Sequence, residues 1–218
     1  MLSPMSYGIL FLTDIFSVPK IKNENGGHEI MAHQNLPASE AQAKLKEGNA
    51  RYLDATSNPG DVSVQLRQKT CDEGQTPYAI VITCSDSRVI PESVFTAGIG
   101  ELFVIRVAGN VMDHHQLGSV EYAADHLGSN LVVVMGHTHC GAVGATITSN
   151  PSGFVKYITD EIRQAIGDEK DELKACRLNV ERSVSVIKEQ LHLTEESSLK
   201  VCGAIYHIDT GRVEFMDC

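Results

Sequence analysis

Residues 84–88 read Cys-Ser-Asp-Ser-Arg and follow an apolar run, "AIVIT"; residues 137–140 read His-Thr-His-Cys and follow another, "LVVVMG". Cys84 and Cys140 with one imidazole form a soft-to-borderline donor set that suits zinc in a tetrahedron. Three protein ligands leave a fourth position for solvent, the arrangement of a catalytic rather than a structural zinc, because the bound water then loses its proton near neutrality. Zinc with two thiolates and a neutral histidine is an uncharged centre and acidifies water less than zinc on three histidines. Asp86 compensates by accepting a hydrogen bond from the zinc-bound hydroxide, and Arg88 holds Asp86 in a two-pronged pair that keeps it ionised. Taken singly these residues say little. A cysteine at a strand end is most often a small buried hydrophobe, and Asp-Ser-Arg fits a surface turn with an ion pair. The joint placement at two strand ends carries the reading, and either His137 or His139 satisfies it.

For the two sets to meet, the runs that deliver them must lie close together in one sheet. Residues 77–83, 102–107 and 131–136 are short, β-branched apolar runs of the kind that form buried strands. Between the second and third, Leu117, Val120, Ala124 and Leu127 recur at helical spacing, with Gly128 placed to cap the end. Strand, helix, strand predicts parallel pairing. Upstream, Ser39 and Gln42 form a capping-box signature that predicts a helix over 39–53. Further helices are expected over 141–147, 153–166 and 173–191, and two β runs flank Asp209-Thr210-Gly211 as a hairpin. The fold class is α/β: a central, mostly parallel β-sheet flanked by helices, with an N-terminal helical arm and a C-terminal β-hairpin. Ligands of such sheets bind at the carboxyl ends of the strands, where both chemical sets fall.

The chain has 218 residues, 42% of them hydrophobic, enough for one domain over 38–218 behind an arm and linker over 1–37. A net charge of -10 and a pI of about 5.3 disfavour nucleic acid and anionic membranes as partners. The apolar patch from Ile9 to Leu12 is too short to span a bilayer and lacks the basic flank of a secretory signal, so a disordered or partner-packing arm is favoured over a targeting segment. Six scattered cysteines in a chain this long imply a reducing, cytoplasmic setting, with those outside the two sets expected to be inert thiols.

"CSDSR" followed by "GHTHCGAVGA" resembles the β-class carbonic anhydrases, specifically their plant-like subgroup. The likeness extends through "KLKEGNARYL", "GELFVIRVAGN", "LGSVEYA" and "VCGAIYHIDTGRVEF", covering residues 40–218. The resemblance implies reversible hydration of CO2 to bicarbonate and a proton through a zinc-bound hydroxide, with one zinc per chain. It implies Cys84, His137 and Cys140 as ligands and Asp86 with Arg88 as the catalytic dyad. It further implies Gln75, Phe103, Ala108, Tyr122 and the Gly141 N–H as the substrate pocket, and assembly as a dimer or dimer of dimers with walls from both subunits. Val107 stands where the family usually carries asparagine. No tryptophan is present, so the inhibitory bicarbonate site that one subgroup builds around one is not expected. Two other activities use the same residues: hydrolysis of carbonyl sulfide or carbon disulfide, and a non-catalytic zinc site closed by Asp86.

Overall fold

The structure is a computed structural model that describes residues 36–55 and 60–216. Of the arm and linker expected over 1–37, residues 1–35, with the apolar patch, lie outside the described residues. Helices α1 (Ala38–Asp54) and α2 (Val64–Glu73) precede strand β1 (Ala79–Thr83), a short helix α3 (Pro91–Val94) and strand β2 (Leu102–Arg106). A single 3-10 turn (Ala108–Asn110), helix α4 (His114–Asp125) and strand β3 (Leu131–His137) follow. Helices α5 (Gly141–Thr148), α6 (Val155–Ile166) and α7 (Glu172–Gln190) lead to strands β4 (Lys200–Tyr206) and β5 (Val213–Phe215).

The sheet order is β2-β1-β3-β4-β5, parallel except for the antiparallel β4–β5 hairpin. Parallel strands need both faces covered, which explains why β1 and β3 are buried at every position and carry no polar side chain before their last residues, Thr83 and His137. Side chains alternate between two cores. Ile80, Ile82, Val132 and Val134 face α4 to α7, while Ala79, Val81, Val133 and Met135 face α1 and α3. The crossover carrying α3 joins β1 to β2, and the one carrying α4 leads across to β3, so the winding reverses between β1 and β3. At the carboxyl ends of those two strands the chain therefore opens a crevice.

Some local expectations need correction. Helix α1 starts at Ala38 behind Pro37, with no side-chain capping bond, so Ser39 and Gln42 make no capping box. The Gln42 amide instead reaches the Cys202 sulfur, and its carbonyl accepts from Lys46. A capping box does form at Asp113 and Gln116, at the start of α4. Helix α4 ends at Asp125, before Gly128, whose positive φ of 70° turns the chain into β3. Helix α2, capped by Ser63, had no expectation, and none of its residues is buried, so it shows no apolar periodicity to read. Cys202 is disulfide-bonded rather than an inert thiol, because spacing along the chain does not reveal which sulfurs a fold brings together. Among the described residues no helix is long and apolar enough to cross a membrane.

Candidate metal centre

Strands β1 and β3 are direct neighbours, with Thr83 paired to Met135, so the residues that leave their carboxyl ends are delivered side by side. Cys84, His137 and Cys140 offer donor atoms that all lie within 4.8 Å of one another, and all three are buried. The His137 Nδ1 lies 2.9 Å from the Thr138 carbonyl oxygen, a bond that places its proton on Nδ1 and frees Nε2 as a lone-pair donor. Nε2 is buried without a hydrogen-bond partner among the described residues, an arrangement that is costly unless a ligand uses it.

The two sulfurs are linked by a hydrogen bond from the Cys140 thiol to Cys84. The Cys140 thiol and the backbone N–H groups of Gly109 and Asp86 donate toward Cys84 and hold its thiol well below the usual range, against the opposing effect of burial. The adjacent Cys84 thiolate and burial push Cys140 upward. A divalent cation displaces that last proton and satisfies both sulfurs and the orphan imidazole together, so the donor set fits zinc.

Asp86 is outside this cluster and belongs to Arg88. Arg88 Nε donates to Asp86 Oδ1 at 2.9 Å, Nη2 donates to Oδ2 at 2.8 Å, and the Arg88 backbone N–H also reaches Oδ1 at 3.0 Å. That guanidinium holds the Asp86 carboxyl well below the usual carboxylate range. Arg88 Nη2 also donates to the His139 carbonyl at 3.1 Å, which ties the two loops together. His139 has a positive φ of 57° and directs its ring toward Glu172 at 3.8 Å, so it is not a member of the cluster, and the choice between the two histidines falls to His137.

Ala108 and Gly141 border the cluster, the first beside the turn whose Gly109 N–H donates to Cys84 Sγ at 3.3 Å, the second directly after Cys140. Gly141 opens α5, where backbone N–H groups have no intrahelical acceptor. Gln75 does not join them. It lies before β1, so the whole strand, about 16 Å at the usual rise per residue, separates it from Cys84. Phe103 pairs with Ile80 near the same far end, and its ring meets Tyr122 of α4 at 6.1 Å between centroids. Tyr122 is 48% exposed.

Two residues that hold the site were not anticipated from the sequence. Arg106, at the end of β2, donates from Nε to the Cys84 carbonyl at 3.2 Å and from Nη2 to the Asp86 carbonyl at 2.6 Å, pinning the loop that carries the dyad. An arginine closing an apolar strand run was the available clue. Cys176 donates from Sγ to the His137 carbonyl at 3.2 Å, and nothing in its local sequence marks it.

Comparison with known proteins gives a consistent result. A family model described as carbonic anhydrase matches residues 79–213. A carbonic anhydrase of Mycolicibacterium smegmatis is 36% identical over 78% of this chain and 89% of its own length, and carbonic anhydrase 2 of Mycobacterium tuberculosis is 33% identical over 79% and 90%. Among solved structures, the β-carbonic anhydrase CafA of Aspergillus fumigatus superposes with a TM-score of 0.61 at 26% identity, covering 82% of this chain and 90% of that one. A tetrameric β-carbonic anhydrase of Sordaria macrospora gives 0.60 at 27% identity, covering 83% and 98%.

Proposed function

The chain belongs to the β-class carbonic anhydrase family, whose members are lyases, and from that premise we propose that it hydrates CO2 reversibly to bicarbonate and a proton at a zinc site. The observation that carries the reading is the buried meeting of Cys84, His137 and Cys140, with the His137 Nε2 left without a partner among the described residues. These three residues would hold one zinc, which supplies the Lewis acidity that makes water a nucleophile near neutral pH. Asp86, kept ionised and aimed by Arg88, accepts a hydrogen bond from the attacking water and orients its lone pair. Ala108 offers an apolar wall for CO2, and the Gly141 N–H a donor for one of its oxygens.

Gln75, Phe103 and Tyr122 sit at the far end of the sheet, so on this reading they complete the pocket of a second copy. The exposed Tyr122 and the tetrameric relative from Sordaria macrospora support an oligomer. With the absence of tryptophan, these residues also favour the plant-like subgroup. A site closed by Asp86 is the weaker reading, because Arg88 already takes both carboxylate oxygens.

Metal analysis together with stopped-flow CO2 hydration across pH tests the proposal. One zinc per chain with rapid hydration is expected. A zinc-loaded protein that fails to hydrate CO2 even at alkaline pH would show a closed binding protein, and faster turnover of carbonyl sulfide than of CO2 would move the substrate assignment.

A further inference from the structure

Three buried side chains on one face of α7 reach the backbone of the two loops that build the metal centre. Cys176 bonds the His137 carbonyl, Asn179 Nδ2 donates to the Gly109 carbonyl at 2.7 Å, and Ser183 Oγ donates to the Asn110 carbonyl at 2.9 Å. Their spacing of three and four residues puts them on the same stripe, and each is no more than 3% exposed. The middle contact is the one that matters for the metal, because Gly109 is the residue whose N–H meets the Cys84 sulfur.

Gly109 has to be glycine. Its φ is +69°, and a Cβ there would lie 2.8 Å from Ile162 Cδ1 and 3.1 Å from Ala142 Cβ. The same requirement removes any local reason for the chain to stay in that conformation, since glycine populates many others at little cost. Something outside the turn must fix it. Asn179 does so by holding the carbonyl on one side of Gly109 while the N–H on the other side points at sulfur.

We propose that Asn179 is a positioning residue for the metal centre: through the Gly109 carbonyl it holds the N–H that donates to the Cys84 thiolate, and so sets how firmly zinc is kept. A donor on a ligating sulfur favours the thiolate form that the metal needs and fixes its direction, and outer groups that orient ligands typically govern metal affinity by roughly 10- to 100-fold. This inference rests on the zinc reading above. Its failure and the failure of that reading give different results.

The test uses the zinc-loaded protein, with Asn179→Leu, which keeps the side-chain size and removes the donor. Asn179→Ala serves if the first variant does not fold. Transfer of zinc to a chromophoric chelator is expected to be about tenfold faster than wild type, within the range usual for outer-shell partners. In the cobalt-substituted protein the thiolate-to-metal charge-transfer band is expected to move to longer wavelength, because a sulfur without its donor gives up an electron more readily. Asn49→Leu provides the comparison. Asn49 is an equally buried amide that bonds the Val94 and Gly211 carbonyls on the opposite face of the sheet, so its loss lowers stability without touching Gly109. Wild-type zinc release and an unmoved band in the Asn179 variants would overturn the inference alone, as would an equal acceleration by Asn49→Leu. A wild-type protein that binds no zinc would overturn the functional reading and the inference with it.

Discussion

At the scale of single residues, the dyad separates metal binding from chemistry. The Asp86 carboxylate is no member of the ligand cluster, and Arg88 engages both of its oxygens, so removing it leaves the cluster whole. Asp86→Ala is expected to keep one zinc per chain while kcat for CO2 hydration falls on the order of 10- to 100-fold. A kcat within twofold of wild type would deny Asp86 its role. Cys84→Ser, by contrast, is expected to lose zinc during dialysis, read by metal analysis, since a hydroxyl does not ionise to replace the thiolate. These residues were legible because cysteine, histidine and a carboxylate-guanidinium pair declare their chemistry by type. The choice between His137 and His139 was not, because it depends on a positive φ at His139 that turns the ring toward Glu172. Arg106 and Asn179 act on backbone carbonyls far away in sequence, so composition and spacing do not point to them.

At the scale of elements, the centre depends on how closely α7 lies on the sheet. A Cβ on Gly136, the residue before His137, would come within 2.6 Å of Val180 Cγ2, and Val180 is fully buried. Gly136→Ala is expected to destabilise the fold by about 1–3 kcal/mol through overpacking, and Val180→Ala in the same chain should restore part of that loss. Additive losses in denaturant unfolding would refute the contact. Less than one turn before Val180, the same helix carries an ion pair, Arg177 Nη2 to Glu214 Oε2 at 2.6 Å, which lowers the Glu214 pKa. Because the folded value is depressed, the stabilisation is present above the ordinary glutamate value of about 4.3 and is lost as pH falls through the folded one. Glu214→Gln is therefore expected to lower the melting temperature at pH 7, and the difference from wild type should close on acidification toward pH 3. Both side chains are partly exposed, so the effect is below about 1 kcal/mol. The strands and the larger helices were readable as buried runs and apolar stripes. Helix α2 was not, since an element that buries nothing within its own chain leaves no such pattern.

At the scale of the whole molecule, one chain holds the metal cluster and the dyad at one end of the sheet and Gln75, Phe103 and Tyr122 at the other. If two copies complete each other's pockets, chains carrying Gln75→Ala and chains carrying Cys84→Ser are each impaired alone. Dissociated and reassembled together, they should recover about a quarter of wild-type hydration, since random pairing in a two-fold dimer yields half mixed dimers with one intact site of two. No recovery above the separate variants would place Gln75 outside the site. The sequence by itself determined the donor types, the carboxylate-guanidinium pair and an α/β sheet with these residues at its strand ends, because they follow from side-chain identity and hydrophobic period. The tertiary structure decided that β1 and β3 are neighbours, which histidine faces the sulfurs, and that the pocket residues divide between opposite ends. Those outcomes follow from strand order, backbone conformation and contacts between residues distant in the chain, none of which a local pattern of residues encodes.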